Sequence, residues 1–195
     1  PAPLVSVAIA CSGASRAAVR STLEALGKQT YANFEVCVVS ELAQAGLTDY
    51  EGIPKFRLVL FNGTAHEQLK AAEKMLNGAY FLQLLPGDLP APDALHMLVL
   101  QTHSNPEAEV VFADEDSVID GIRQNPIFKP DYGRDTLRSF NSIGRPMLVS
   151  KRVHTAVGGF RGSTPAELWA YCIDCASAAK QVIHIARIGL TVIRD

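Results

Sequence analysis

The sequence contains no apolar run approaching the ~20 residues of a membrane-spanning helix, although 48% of its 195 residues are hydrophobic. Direct membrane insertion is therefore not expected. Neither sign of charge dominates: 18 Lys and Arg face 20 Asp and Glu, a net charge of -2. That balance provides no global pull toward nucleic acid or anionic lipid. An initiating Met and a charged-then-apolar leader are also lacking, and the chain opens on Pro1-Ala2-Pro3. The expectation is a processed or excised piece of a larger protein with flanking domains; cysteine usage separately sets a reducing cytoplasm as the default compartment. No G-x-G-x-x-G or P-loop pattern follows any apolar run, which argues against a simple nucleotide-binding regulator of doubly wound fold. Internal repeats, low-complexity tracts and long linkers are likewise missing.

Cysteine is scarce, with four residues at 11, 37, 172 and 175. Cys172 and Cys175 form a C-x-x-C, but no second pair completes a zinc site. Leu168, Cys172, Cys175 and Ala179 instead fall at i, i+4, i+7 and i+11, one stripe of an amphipathic helix. Both thiols are expected to face a core, where free Cys packs as a small hydrophobe. The five histidines, His66, His96, His103, His154 and His184, show no ligand spacing and are read as surface or satisfied core residues.

What is present is a chain long enough for one sizeable domain. Val5 to Ala10 and Phe34 to Ser40 are apolar runs without alternation, as in strands buried on both faces of a parallel sheet. Between them Val19, Leu23 and Leu26 recur at helical spacing, so a strand-helix-strand unit is predicted. Phe56 to Phe61, a helix from about His66 to Asn77, and a strand ending near Leu85 continue the pattern. Pro86 and Gly87 break that strand, and Pro92 with Asp93 opens a helix to about Thr102. A fifth strand runs from Glu109 to Asp114. Beyond it, Asp120-Gly121 signals a hairpin. A short helix near Asp135 to Phe140 follows, then a strand from Pro146 to Lys151, a short helix ending at Gly158-Gly159, a helix from about Pro165 to Lys180, and two closing strands within Val182 to Ile193. The prediction is one α/β domain, with a mixed sheet flanked by helices and parallel-rich in its first half. Ligands in such sheets sit at strand carboxyl ends, here Cys11 to Gly13, Ser40 to Leu42, Leu85 to Asp88 and Asp114 to Asp116.

Several stretches resemble the family 2 glycosyltransferases of GT-A (Rossmann-like) fold, in the bacterial subgroup associated with polysaccharide assembly. "LEALGKQTYANFEVCVVS" is similar to that family's Q-T-Y helix, turn and second strand. "GAYFLQLLPGDLPAPDAL" resembles its D-x-D-D segment. "FADEDSVIDGIRQNPIFKPDYG" resembles its D-E-D to K-P-D stretch, and "VGGFRG" and "VIHIARIGLTVIR" its closing motifs. The resemblance runs in order from Leu4 to Arg194. It implies a nucleotide-binding half over about 4–116 and an acceptor half over about 117–195.

The resemblance also implies acids that this sequence does not have. In the family a D-x-D pair holds Mn or Mg against the donor diphosphate, and a carboxylate deprotonates the acceptor hydroxyl. Here the D-x-D-D positions are Leu85, Pro86, Gly87 and Asp88, and the two acids of the base element are Leu168 and Ala170. One acid cannot build the oxygen shell of a hard cation, so no metal is expected. Glu167 is the shifted base candidate; Glu41 and Asp88 are the nucleotide-side candidates. Asp114, Glu115, Asp116 and Trp169 are the acceptor-side candidates, with a strand-ending turn and a core tryptophan as the structural alternatives. The expected function is a degenerate glycosyltransferase-like module, structural or carbohydrate-binding, at the inner face of the membrane through partners or missing segments. Its partners would be a carbohydrate acceptor and other domains or transferases of the pathway. An active transferase with a rearranged site, using Mn or Mg, is the alternative.

Overall fold

The computed structural model describes residues 2–41 and 53–194. Leu42, one of the strand-end positions singled out above, lies outside the described residues. The chain begins with β1 (Val5–Ala10), α1 (Arg16–Leu26) and β2 (Phe34–Ser40). Ser15 caps α1 by accepting a hydrogen bond from the Ala18 amide, which satisfies one of the free donors of its first turn. Next come β3 (Phe56–Leu60), α2 (Ala65–Glu73), β4 (Tyr80–Leu84), β5 (Asp88–Pro90) and α3 (Ala94–Ser104). The second half supplies β6 (Ala108–Ile119), β7 (Ile122–Ile127), α4 (Arg134–Ser139), β8 (Met147–Ser150), α5 (Lys151–Ala156), α6 (Pro165–Ala178) and β9 (Gln181–Ile193).

Among the described residues nine strands join one sheet in the order β3-β2-β1-β4-β8-β6-β9-β5, with β7 alongside β6. The first-half strands β1 to β4 are mutually parallel, as the unalternating runs predict. Every residue of β1 and β2 is buried, because helices cover both faces. Val5, Val7 and Ile9 pack in one core with Val19 and Leu23 of α1 and Leu95 and Leu98 of α3. Ala8 and Ala10 point the other way, into a core with Leu69 of α2 and Tyr171, Cys172 and Cys175 of α6. Both cysteines of the C-x-x-C are thus buried free thiols, and burial pushes Cys172 up to about 12.

Three expectations need correction. The two closing strands are one strand, β9, because β6 runs on to Ile119 and offers a continuous parallel partner. Along it the register jumps from Ala113↔Ile185 to Asp114↔Ile188, a bulge that absorbs Ala186 and Arg187. For the same reason Asp114 to Asp116 lie within a strand and not in a turn that ends one. The break after β4 is followed by a further strand, since β5 pairs antiparallel with the end of β9. The hairpin is as read: Asp120 and Gly121 have φ of 52° and 75°, the paired left-handed conformation that a two-residue turn between twisted strands requires. Among the described residues no helix is long and apolar enough to cross a membrane.

Candidate functional site

β4 and β6 both run antiparallel to β8, so the turn after β4 and the far half of β6 sit at the same end of the sheet. The turn is built locally. Asp88 accepts from the Leu85 amide at 2.8 Å, and its own amide donates to the Leu85 carbonyl at 2.9 Å. Gly87 has φ of 93°, a region that side chains disfavour, and its amide donates to Thr22 Oγ1 of α1 at 2.9 Å.

The Asp88 carboxylate is buried and faces Arg145, whose Nε and Nη2 donate to its two oxygens at 2.8 and 3.0 Å. Burial pushes the Asp88 carboxyl up, and Arg145 pulls it back. Burial alone would lower the Arg145 guanidinium, but the charge and hydrogen bonds of Asp88 outweigh it and push it up. Glu115 lies beside this pair. Its Oε2 meets Lys129 Nζ at 3.1 Å and the Arg145 amide at 3.3 Å. Lys129 also donates to the carbonyls of Ala113 and Arg145, each at 2.7 Å, and burial pushes its ammonium down against the opposing pull of Glu115.

The other two acids of the cluster go elsewhere. Asp114 Oδ1 takes the Lys129 amide at 2.9 Å and lies 2.8 Å from His184 Nε2. His184 Nδ1 in turn lies 3.2 Å from Asp131, and its ring stacks on Phe112. Asp116 pairs with Arg123 across the hairpin at 2.7 Å. Only Glu115 of the three lines the adjoining cleft, a cavity of about 650 Å³ between Leu85, Lys129, Asn141, Arg145 and the first turns of α6.

The opposite wall carries Trp169, whose Nε1 donates to the Leu137 carbonyl at 2.6 Å while the residue lines the cleft. Leu168 lines it too. Glu167, in the same first turn, is held in a capping box and does not line the cleft: its Oε2 accepts from Ser163 N, Thr164 N and Thr164 Oγ1 at 3.1, 3.0 and 2.7 Å. Those bonds, led by the Thr164 hydroxyl, hold its carboxyl below the usual range. Glu41 lies at the end of β2, where it accepts from Ser12 Oγ at 3.3 Å.

The structure therefore brings Asp88 and Glu115 together and leaves Asp114, Asp116, Glu41 and Glu167 with other partners. Sequence reading missed Arg145 and His184. Arg145 lies 57 residues from Asp88, in the loop before β8, and no spacing rule reports a pairing over that separation.

No family model matches the chain. A protein of Sinorhizobium fredii described as uncharacterized protein y4gI is 30% identical over 199 residues, covering 95% of this chain and 22% of that protein. The O-antigen biosynthesis protein RfbC of Myxococcus xanthus is 26% identical over 168 residues, 82% of this chain and 13% of its own length. The chain thus spans about a fifth or less of these relatives. Among solved structures, S. aureus TarS in complex with UDP-GlcNAc superposes with a TM-score of 0.75 at 14% identity, over 98% of this chain and 58% of that one. The mannosyltransferase PcManGT of Pyrobaculum calidifontis, in complex with GDP-Man and Mn2+, gives 0.62 at 17% identity, over 98% and 56%. With its mixed sheet, its helices on both faces and these likenesses, the chain has the GT-A glycosyltransferase fold and counts a bacterial O-antigen biosynthesis protein among its sequence relatives.

Proposed function

We propose that the chain is a family 2-like glycosyltransferase domain of a bacterial polysaccharide or glycoconjugate assembly protein, one that has ceased to transfer sugar and holds carbohydrate in its cleft. The observation that carries this reading is the bidentate Arg145–Asp88 pair. The remaining acid of the D-x-D-D segment already has a full set of partners. Leu168 and Ala170 stand at the base positions, and the neighbouring Glu167 caps a helix. What the cleft does offer is a half-buried aromatic side chain, Trp169, beside hydrogen-bonding groups on Asn141 and Glu115. An apolar face with polar groups around it suits a sugar ring. The domain would work on the cytoplasmic side of the membrane, next to other domains or transferases of the same pathway.

Trp169 is the sole tryptophan, so its fluorescence reports directly on the cleft. Oligosaccharides of the source polymer should quench or shift it. UDP-GlcNAc and GDP-Man should be neither hydrolysed nor transferred, with or without Mn2+. Turnover of either donor would overturn the reading.

One feature favours the alternative of an active enzyme with a rearranged site. The Glu115 carboxylate lines the cleft and engages its neighbours through Oε2, leaving Oε1 to receive an acceptor hydroxyl. In that case Glu115→Gln would abolish a turnover that the wild type shows.

A further inference from the structure

The GT-A fold implies a divalent cation held by paired acids, and the residues here do not fit one. Mg2+ asks for near-octahedral oxygen coordination, and larger hard cations for six or more oxygens. Asp88 Oδ1 already takes Arg145 Nη2, and Oδ2 takes both Arg145 Nε and the Leu85 amide. Glu115 Oε2 already takes an ammonium and an amide. Among the described residues no three His, Cys, Asp or Glu side chains are grouped to hold a metal ion.

The charges argue the same way. Two carboxylates, Asp88 and Glu115, face two fixed cations, Arg145 and Lys129, in a setting where each is largely removed from water. The four sum to zero. A divalent ion arriving there would meet no surplus negative charge and two like charges at close range, at a dielectric well below that of water. The planar fork of a guanidinium matches a carboxylate better than a mobile ion could, and it does not dissociate.

We infer that Arg145 and Lys129 are resident cations that take the place of the divalent metal at Asp88 and Glu115, so that the cleft receives its ligand without a metal ion. This inference does not depend on whether the cleft transfers sugar. Transfer that persists in a chelator would overturn the proposed function and leave the resident cations standing.

The test is a titration of the intact domain with Mn2+, alone and with UDP, read by water-proton relaxation. The expected result is no enhancement beyond that of Mn2+ or Mn2+–UDP in buffer. Stoichiometric binding that disappears in Asp88→Asn would overturn the inference. Thermal unfolding supplies the second arm. Arg145→Met should lower Tm by on the order of 10 °C because it strands a buried carboxylate, and the double variant Arg145→Met/Asp88→Asn should recover most of that loss. An Arg145→Met protein as stable as the wild type would show that Arg145 is not the counter-charge. If neither variant folds, the Mn2+ titration of the wild type decides alone.

Discussion

Two buried carboxylates sit at opposite ends of the parallel strands, and they are held in much the same way. Glu35, at the start of β2, accepts from Ser6 Oγ, from the Asn77 amide and from Arg57 at 2.7, 2.6 and 2.7 Å. Asp88, just past the end of β4, accepts from a backbone amide and from Arg145. The first acid closes the strand ends remote from the cleft; the second occupies a position where the family resemblance implies metal chemistry. Their likeness teaches that a position alone does not confer a chemical role. A carboxylate whose lone pairs are filled by an arginine and an amide is fixed in place in the same way wherever it lies. They differ in depth, since the Arg57 side chain is 36% exposed and that of Arg145 is 18% exposed.

That difference can be broken experimentally. The largest effect is expected from comparing Arg145→Met with Arg57→Met by chemical denaturation. The first should cost about 3–5 kcal/mol, because it leaves Asp88 charged and unpaired in the interior. The second should cost about 1 kcal/mol or less, because water can replace a half-exposed guanidinium. Equal losses would erase the distinction in depth.

A pH series sharpens the contrast further. Burial alone would raise the Glu35 carboxyl, but Asn77, Ser6 and Arg57 together hold it below the usual range. A depressed folded-state value means stability that is present above the unfolded value of ~4.3 and lost as pH falls through the folded one. Glu35→Gln should therefore cost about 1.5–3 kcal/mol near neutrality, and the gap from wild type should narrow in acid below that value. In Asp88 burial wins and the shift is upward, so the corresponding term opposes folding as pH rises through its range, and it is Arg145 that limits the penalty. A gap for Glu35→Gln that widens in acid would contradict the assignment.

The scaffold was legible because burial on both faces leaves a direct mark on composition: β1 and β2 read as apolar runs, and Asp120-Gly121 as a tight turn. The helix stripe of Leu168, Cys172 and Cys175 was legible for the same reason, being local and periodic. The cleft was only half legible. That Leu85 and Gly87 stand where acids are expected is visible in the sequence, as is the isolation of Asp88. What answers Asp88 is not, because Arg145 reaches it by a side-chain ion pair from a distant loop, which no local pattern encodes. The acidic run at Asp114 to Asp116 misled in a physical way. It reads as a turn by polarity, yet each acid is carried inside β6 by a cation or histidine from another element.

A smaller effect concerns a third carboxylate, Glu167, which is tied by a helix start instead of an arginine. Thr164→Ala should cost about 1 kcal/mol and raise hydrogen exchange at the Ser163 and Thr164 amides, as the Glu167 carboxylate loses one of its anchors. Unchanged exchange would free Glu167 for another role. The smallest effect is a null one. Farther along the same helix, Cys172 and Cys175 are buried with strongly raised thiols, so native-state labelling should be slow beside that of the unfolded chain. Rapid labelling of both would place the inner face of α6 in water.

The left-handed backbone at Gly87 also sets a direction of travel. An engineer wishing to place an acidic pair in this turn would begin with Leu85→Asp and Gly87→Asp, but the second change puts a side chain at φ of 93°, where only glycine is at ease. The amide there is also fastened to Thr22, so the turn cannot relax without disturbing α1. Installing such a pair consequently requires a new loop and not two new letters, and a graft of the whole segment from Leu84 to Leu89, together with removal of Arg145, is the shortest route to one.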